Sequence, residues 1–483
     1  MRELTVNTEH TELFGNLAAD DEVSSFFRNC FYATKTFEKL KRKKRLMILV
    51  GEKGTGKTAL FRMAAMENDA SADTFAVEAQ YLEIDEKLGI SQKIQCWKDY
   101  LGKKIAEKLQ GEAASDRKRS GKIKKGLALL ERTFGNAVKE KCGFDYMQLK
   151  TDILSLLSEG CKIRLYIDNL DVGYRSTHEK NETIIALFTA VREMLRDMEN
   201  LSCRIALRTD VYDNVRREDE SSDKIKDAKM NLVVTNHEII TMLTKRVMCY
   251  LDSEHVKKDY SVMHQSLMLE EMASVFDTTF HGRGKWDGKP MYNVLMSFVR
   301  RRPRDIISLC GLAWDHAVDR GATKISTEDI EAVIDAYSKE CRSDILAEYG
   351  QEFQNTDALN HLLGALRPSS KEQKKEKMFV YTRDELIKKI DNILGHENFY
   401  FSDGRRATSF DIAAFLYRAN VVVARKDAPD GSNIERIYYM EKPDLIAGGT
   451  DCGYQFEIHP AYRGAIASGI NVMNTIDAET ARF

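Results

Sequence analysis

Residues 46–64 read LMILVGEKGTGKTALFRMA, and the glycine spacing in this stretch decides how the rest of the chain is read. Leu46 to Val50 is a short apolar run of strand length, and the stretch ends in ALFRMA, a run of good helix formers. Between them stands Gly51-x-x-x-x-Gly56-Lys57-Thr58. Glycines at 51, 54 and 56 let the backbone turn so that its amides point inward at a helix N-terminus, where the helix dipole favours negative charge. Strand, loop and helix in this order predict a phosphate cradle, a P-loop, built from Gly51, Glu52, Lys53, Gly54, Thr55, Gly56, Lys57, Thr58 and Ala59. In it Lys57 reaches the β and γ phosphates of a nucleotide, and Thr58 gives its hydroxyl to magnesium. No guanine-reading NKxD pattern accompanies the loop, so ATP is the expected nucleotide.

A site of this kind needs a second apolar strand that ends in an acid. KIRLYIDNLD, residues 162–171, supplies it: Ile163 to Ile167 is the strand, and Asp168 is the carboxylate that holds magnesium through its water shell. Asn169 follows, where many fast ATPases carry a glutamate that polarises the attacking water. Asp171 is the nearest spare carboxylate. Three readings of it stay open: a catalytic base one turn further on, a bystander in a slowly hydrolysing switch, or a helix N-cap.

The 483 residues are too many for one ordinary core, so two to four domains are expected. With 43% hydrophobic and 31% charged residues and only six prolines, the composition is that of a helix-rich globular chain, and no apolar run approaches the length of a membrane span. The polar start MRELTVNTEHTELFG lacks a signal-peptide core, and nine cysteines stand singly without a CxxC pair, which fits reduced thiols in the cytoplasm. The net charge of −2 requires any nucleic-acid contact to use a local basic patch.

The order of motifs over about residues 10–340 resembles the AAA+ and STAND branches of P-loop ATPases, particularly the origin-initiator type and poorly characterised bacterial ATPases. After Asp168 come a helical stretch, ETIIALFTAVREMLRDM, and a third apolar strand in SCRIALRTDVYD. In the family this strand lies between the other two and ends in a polar sensor of the γ-phosphate, a position matched by Arg208 and Thr209. NLVVTNHEIITMLTKRV is similar to the family's fifth strand and the helix into the lid, with Ile240, Leu243 and Arg246 in the recurring phrase. VLMSFVRRRPRDIISLC resembles the lid helix whose arginine reaches the nucleotide; Pro303 suits a first helical turn, and Arg304 takes the sensor position. Arg300 and Arg301 read equally as a solvated basic face. Arg216 and Arg217 fall where the family carries an arginine finger, or on a charged surface loop.

The resemblance implies an α/β P-loop NTPase three-layer core over residues 1–240, a helical lid over 241–365 and a C-terminal winged-helix domain over 379–483, joined by a lysine-rich linker at 366–378. Roughly 110 residues separate Lys57 from Asp168, more than one strand and its helices need, so about residues 86–158 are expected to form an inserted helical arm. In it Ile94, Trp97, Leu101, Ile105 and Leu109 mark a packed amphipathic helix, and SDRKRSGKIKK, residues 115–125, is a basic link. In the tail TRDELIKKIDNIL and TSFDIAAFLYRAN read as helices, VVVAR and IERIYYMEK as strands, and FEIHPAYRGAIA as a strand and helix, with His459-Pro460 a turn. Residues 381–483 hold 12 Lys and Arg against 15 Asp and Glu, which argues against a wing that reads DNA.

Two functions remain in view. One is an ATP-binding, slowly hydrolysing molecular switch of the STAND or initiator kind, possibly tied to prokaryotic defence or stress signalling, that works through a protein partner or self-oligomer. The other is a DNA-binding ATPase, a loader or transposition helper, using the arginine cluster, the basic link and the wing. Catalytic roles are expected for Lys57, Asp168, Asp171, Arg208 and Arg304, and the expected metal ligands are Thr58 and Asp168.

Overall fold

A computed structural model describes residues 13–71, 73–113, 161–172, 174, 176–218, 223–251, 258–282, 286–375, 377–428, 434–446, 453–470 and 472–475. The chain divides into two compact units, a core unit of Ala33–Leu232 and a second unit of Met1–Tyr32 with Val233–Phe483.

The core unit is built on five parallel strands. They are β1 (Leu46–Val50), β2 (Thr74–Ala79), β3 (Lys162–Ile167), β4 (Leu201–Leu207) and β5 (Lys229–Asn231), in the spatial order β2-β3-β4-β1-β5. Helices on both faces explain why these strands read as near-continuous apolar runs: Ile48, Leu49, Val50, Ile163, Leu165 and Ile167 are fully buried. The third apolar strand of the sequence, β4, does lie between β1 and β3. This parallel sheet, with the glycine loop leaving β1, is the α/β core of a P-loop NTPase. The helices that matter for the site are α1 (Lys57–Asp69), α2 (Ile90–Ala113), α3 (His178–Asp197) and α4 (Thr209–Glu218).

Helix α2 is the described part of the expected helical insertion. Its stripe packs as the periodicity requires, with Trp97, Leu101, Ile105 and Leu109 buried, but they join β2, β3 and α3 in one apolar cluster. The Trp97 indole donates to the Thr183 carbonyl at 2.9 Å, and the buried Lys93 ammonium pairs with Glu182, both on α3. This part of the insertion is a layer of the core, because a face that is apolar at every third or fourth position is stabilised by burial. The basic link at 115–125 lies outside the described residues.

In the second unit α5 (Asn236–Leu251), α6 (Met291–Phe298), α7 (Pro303–Asp319), α8 (Thr327–Tyr349) and α9 (Ala358–Ala365) precede a small antiparallel sheet. Its elements are β6 (Val380–Tyr381), α10 (Arg383–Leu394), α11 (Ser409–Arg418), β7 (Val422–Asp427), β8 (Ile434–Ile437), β9 (Gln455–Ile458) and α12 (Pro460–Ile466). Capping boxes, Thr382 with Glu385 and Thr408 with Asp411, fix the starts of α10 and α11. Strand β9 enters between β6 and β7, giving the order β6-β9-β7-β8. The residue boundary expected at 240/241 falls inside α5. The described part of the expected linker is mostly exposed but anchored at points: Leu366 is buried, and Glu372 meets Lys389 of α10 at 3.0 Å.

The arginine cluster corrects the reading of a solvated basic face. Arg300 and Arg302 are buried, so the solvated basic face is not there. Arg300 makes a two-point pair with Asp305 at 2.7 and 2.8 Å and donates to the Tyr462 hydroxyl of α12 at 3.0 Å. Arg301 meets Glu441 at 2.7 Å and lies over the Tyr438 ring, and Arg302 meets Glu348 at 3.1 Å. Arg300 also meets Asp344 of α8, so the cluster is shared between α8 and the tail, because a guanidinium taken out of water needs carboxylates and hydrogen-bond acceptors around it. Beneath them Glu457 of β9 accepts hydrogen bonds from Arg425 at 3.2 Å, Arg463 at 2.8 Å and Arg436. Burial opposes the charge on Glu457, but the three guanidiniums outweigh it and hold the carboxyl down at about 2.

Glu457→Ala removes the carboxylate and leaves three desolvated cations facing one another, so unfolding of the full chain in denaturant should lose about 3 to 5 kcal/mol. A loss below about 1 kcal/mol would contradict this account. Because the folded pKa is depressed, the contribution of Glu457 is complete above the ordinary glutamate value near 4.5 and fades as pH falls from there toward about 2.

Candidate nucleotide-binding site

The loop after β1 has the backbone its glycines allow. Gly54 and Gly56 take φ of 79° and 95°, left-handed values, and Gly56 is the residue that opens α1. A Cβ placed on Gly51 would stand 3.0 Å from Thr55 Oγ1 and 3.1 Å from Leu232 Cβ, so close approach of the chain requires glycine there as well. The loop is tied to its own carbonyls: the Thr55 hydroxyl donates to Glu52 O at 2.7 Å, and Lys57 Nζ donates to Gly51 O at 2.9 Å and Glu52 O at 2.7 Å. Glu52 and Thr55 are buried, while Lys53, Gly54, Gly56, Lys57, Thr58 and Ala59 are half-buried along the mouth. A Cβ added to Gly56 would meet nothing within 4 Å, so open space lies against the loop at the point where the first amides of α1 have no intrahelical acceptor. Space, amides and a lysine in this arrangement fit a bound phosphate chain.

Asp168 closes the other side. Its backbone N–H is fixed to the Ala79 carbonyl at 3.0 Å, which places the carboxylate at the end of β3. Burial pushes its pKa above the ordinary aspartate value, opposed by hydrogen bonds from the Thr58 hydroxyl and the Asn169 N–H and by the Lys57 charge. The Asn169 bond is 2.8 Å long, made with the residue in left-handed backbone at φ 55°. Thr58 and Asp168, from opposite sides of the site, thus already touch. Among the described residues no group of three or more His, Cys, Asp or Glu side chains could hold a metal ion. A magnesium ion here would take Thr58, Asp168, water and phosphate oxygens, the open coordination magnesium prefers.

Arg208, at the end of β4, lies beside these groups but is engaged. Its Nε and Nη2 donate to the two carboxylate oxygens of Asp210 at 3.0 and 2.6 Å, and its Nη1 stands 3.6 Å from Asp171. Asp171 is not a helix N-cap: α3 starts at His178, and the capping side chain is Thr177, which accepts from the Lys180 N–H. The structure therefore brings together Lys57, Thr58, Asp168, Asp171 and Arg208 in the core unit, at the C-terminal ends of β1, β3 and β4. Arg304 belongs to the second unit, in the first turn of α7; it is half-buried, and its Nε has no hydrogen-bond partner among the described residues. Arg246 donates to Phe14 O at 2.7 Å and pairs with Glu22, and Arg216 and Arg217 are exposed at the end of α4. His459, read as a turn, caps α12 and meets the Tyr438 hydroxyl at 2.9 Å. Asp210 was not singled out by its sequence; its place directly after Arg208-Thr209 in RTD was the available signal.

Comparison with known proteins adds three findings. Residues 253–346 match a family model described as the FunZ-associated C-terminal helical domain. No curated protein matches the chain. Among solved structures it is similar to the ORC2 protein of Aeropyrum pernix in its ADPNP-ADP complexes, at 13% identity over 93% of this chain and 92% of that one, with a TM-score of 0.38. It is also similar to Cdc6p of Pyrobaculum aerophilum, at 12% identity over 90% of this chain and 94% of that one, with a TM-score of 0.32. No helix among the described residues is long and apolar enough to cross a membrane.

Lys57→Ala takes away the ammonium at the start of α1 without touching a core contact. Calorimetric titration with ATP should lose detectable binding while the chain still folds, its melting temperature lowered by no more than about 4 °C for the hydrogen bonds to Gly51 O and Glu52 O that are lost. Unchanged affinity in a folded variant would overturn the assignment of the loop.

Proposed function

We propose that the chain is an ATP-binding, slowly hydrolysing molecular switch of the STAND or initiator kind. The observation that carries this reading is the hydrogen bond between Thr58, at the start of α1, and Asp168, directly after β3, beside an open amide cradle, two residues suited to one magnesium ion. Loop amides and Lys57 bind the β and γ phosphates, Lys57 exchanging its loop carbonyls for phosphate oxygens. Magnesium, when bound, neutralises charge that develops during phosphoryl transfer. Asp171 orients the attacking water and takes its proton; with Asn169 in place of a neighbouring carboxylate, turnover is slow.

The output belongs to the second unit. The segment Val299–Arg302 is stitched to the tail through Arg300 with Tyr462, Arg301 with Glu441, and Tyr438 with the Val299 carbonyl at 3.4 Å. Arg304 follows two residues later. We assign it the part of the arginine that responds to the γ-phosphate. A charge-assisted hydrogen bond of this kind is worth about 1.5 to 3 kcal/mol, which shifts a two-state equilibrium by about ten- to a hundredfold. The partner that reads the switch is a protein or a second copy of this chain. DNA is disfavoured, because Arg300 and Arg302 are spent on internal ion pairs and the tail carries the −3 balance of its 12 basic and 15 acidic residues.

Asp168→Asn should lower the hydrolysis rate at least about a hundredfold and abolish its magnesium dependence, with ATP affinity changed less than about tenfold, since the carboxylate acts on charge developed in transfer. Steady-state kinetics at saturating ATP and magnesium, beside a binding titration, check it. If Asp171→Asn proves the more damaging of the two, the division of roles is wrong.

A further inference from the structure

The sensor position of β4 holds an arginine that spans two carboxylates. Asp210, buried in the first turn of α4, takes both of its hydrogen bonds from Arg208 side by side. Such a two-point pair fixes the plane of a guanidinium as well as its position. With Nε and Nη2 committed to Asp210, the remaining edge is aimed at Asp171, 3.6 Å away on the turn that follows β3. Within that turn the Val172 N–H reaches Asn169 O at 3.4 Å and the Tyr174 N–H reaches Asp171 O at 3.1 Å. The buried Leu170 and the Tyr174 hydroxyl, bonded to Asn181, hold its apolar side, and Arg208 is the cation that meets its Asp171 carboxylate. The turn begins with Asn169 in left-handed backbone, immediately after Asp168.

Resting on the reading of this site as an ATPase, we propose that Asp210 is a positioning residue: through Arg208 it anchors the Asp171 carboxylate, so that the group that orients the attacking water keeps one position in the turn after β3. The anchor runs from α4 through Arg208 to the turn after β3, tying the exits of two adjacent strands. Asp210 itself touches no substrate. Its geometry explains why an arginine, not the smaller polar residues a phosphate contact alone would need, stands at the end of β4: lysine offers a point charge and cannot hold one carboxylate with two donors while presenting a third to another.

The test uses the full chain and the variants Asp210→Asn, Asp210→Glu and Arg208→Gln. In the nucleotide-free protein, hydrogen exchange of the amides at 170–174 should speed up at least about tenfold in Asp210→Asn and in Arg208→Gln and stay near wild type in Asp210→Glu, with no change in β1 or β3. With ATP, kcat should fall at least about tenfold in the first two while KM and the ATP affinity change less than about threefold, and the double variant Asp210→Asn with Arg208→Gln should fall no further than Arg208→Gln alone. Unchanged exchange and kcat in folded Asp210→Asn, or losses that add in the double variant, overturn the proposal. Absence of ATP binding by the wild-type chain instead overturns the proposed function; the exchange measurement, which needs no nucleotide, still decides whether the anchor exists.

Discussion

The candidate site depends on one pairing: β4 running parallel between β1 and β3. The register sets Val50 beside Leu207 and Ile167 beside Ile205, so three strands end within reach of one another, and the Gly51 N–H is fixed to the Leu207 carbonyl at 3.1 Å. In an open parallel sheet the carboxyl ends of the strands are where side chains and loops can converge on a ligand. Lys57 and Thr58 come from β1, Asp168 and Asp171 from β3, and Arg208 from β4. Moving β4 to an edge would part the phosphate loop from the acid, and no choice of side chains at those ends would restore the Thr58 contact with Asp168.

The second unit is held by a different kind of constraint. Its tail core includes arginines at 425, 436 and 463 around one buried glutamate, next to the arginines at 300, 301 and 302 and their carboxylates. The same charges keep the buried His459 neutral: burial lowers its pKa well below the usual value, and the surrounding guanidiniums lower it further. Apolar contacts tolerate sliding, whereas buried ion pairs fail if one partner is withdrawn, by several kcal/mol. Arg304 stands two residues after the segment joined to the tail by such pairs, and in the function proposed above this segment carries its response to β9 and α12.

The local patterns were legible and the long-range pairings were not. The phosphate loop and the acid-ended strand follow from residues adjacent in sequence, where glycine backbone freedom and short apolar runs act directly, and the central place of the third strand was implied by the family resemblance. The tail helices were equally plain, because Thr382 with Glu385 and Thr408 with Asp411 write their caps into four residues. What escaped were partnerships between distant positions. The run Arg300, Arg301, Arg302 looks like a wet basic face until Glu441, Glu348 and Asp305 are brought to it, and β5 begins at Lys229, before the apolar residues that mark its continuation. Asp210 was hidden for a different reason: although it stands two residues from Arg208, a carboxylate in a first helical turn is expected for the helix dipole alone, and only the fold shows that it grips Arg208.

The central claim is that nucleotide state, read through Arg304, alters the tail. Hydrogen exchange over residues 436–467 in the presence of ATP with magnesium, and then of ADP with magnesium, tests it most directly. The account predicts protection of β9 and α12 that differs between the two nucleotides in the wild-type chain and is the same for both in Arg304→Ala, with ADP affinity unchanged by the substitution. A difference that persists undiminished in Arg304→Ala, or none in a wild-type chain that binds both nucleotides, would contradict it.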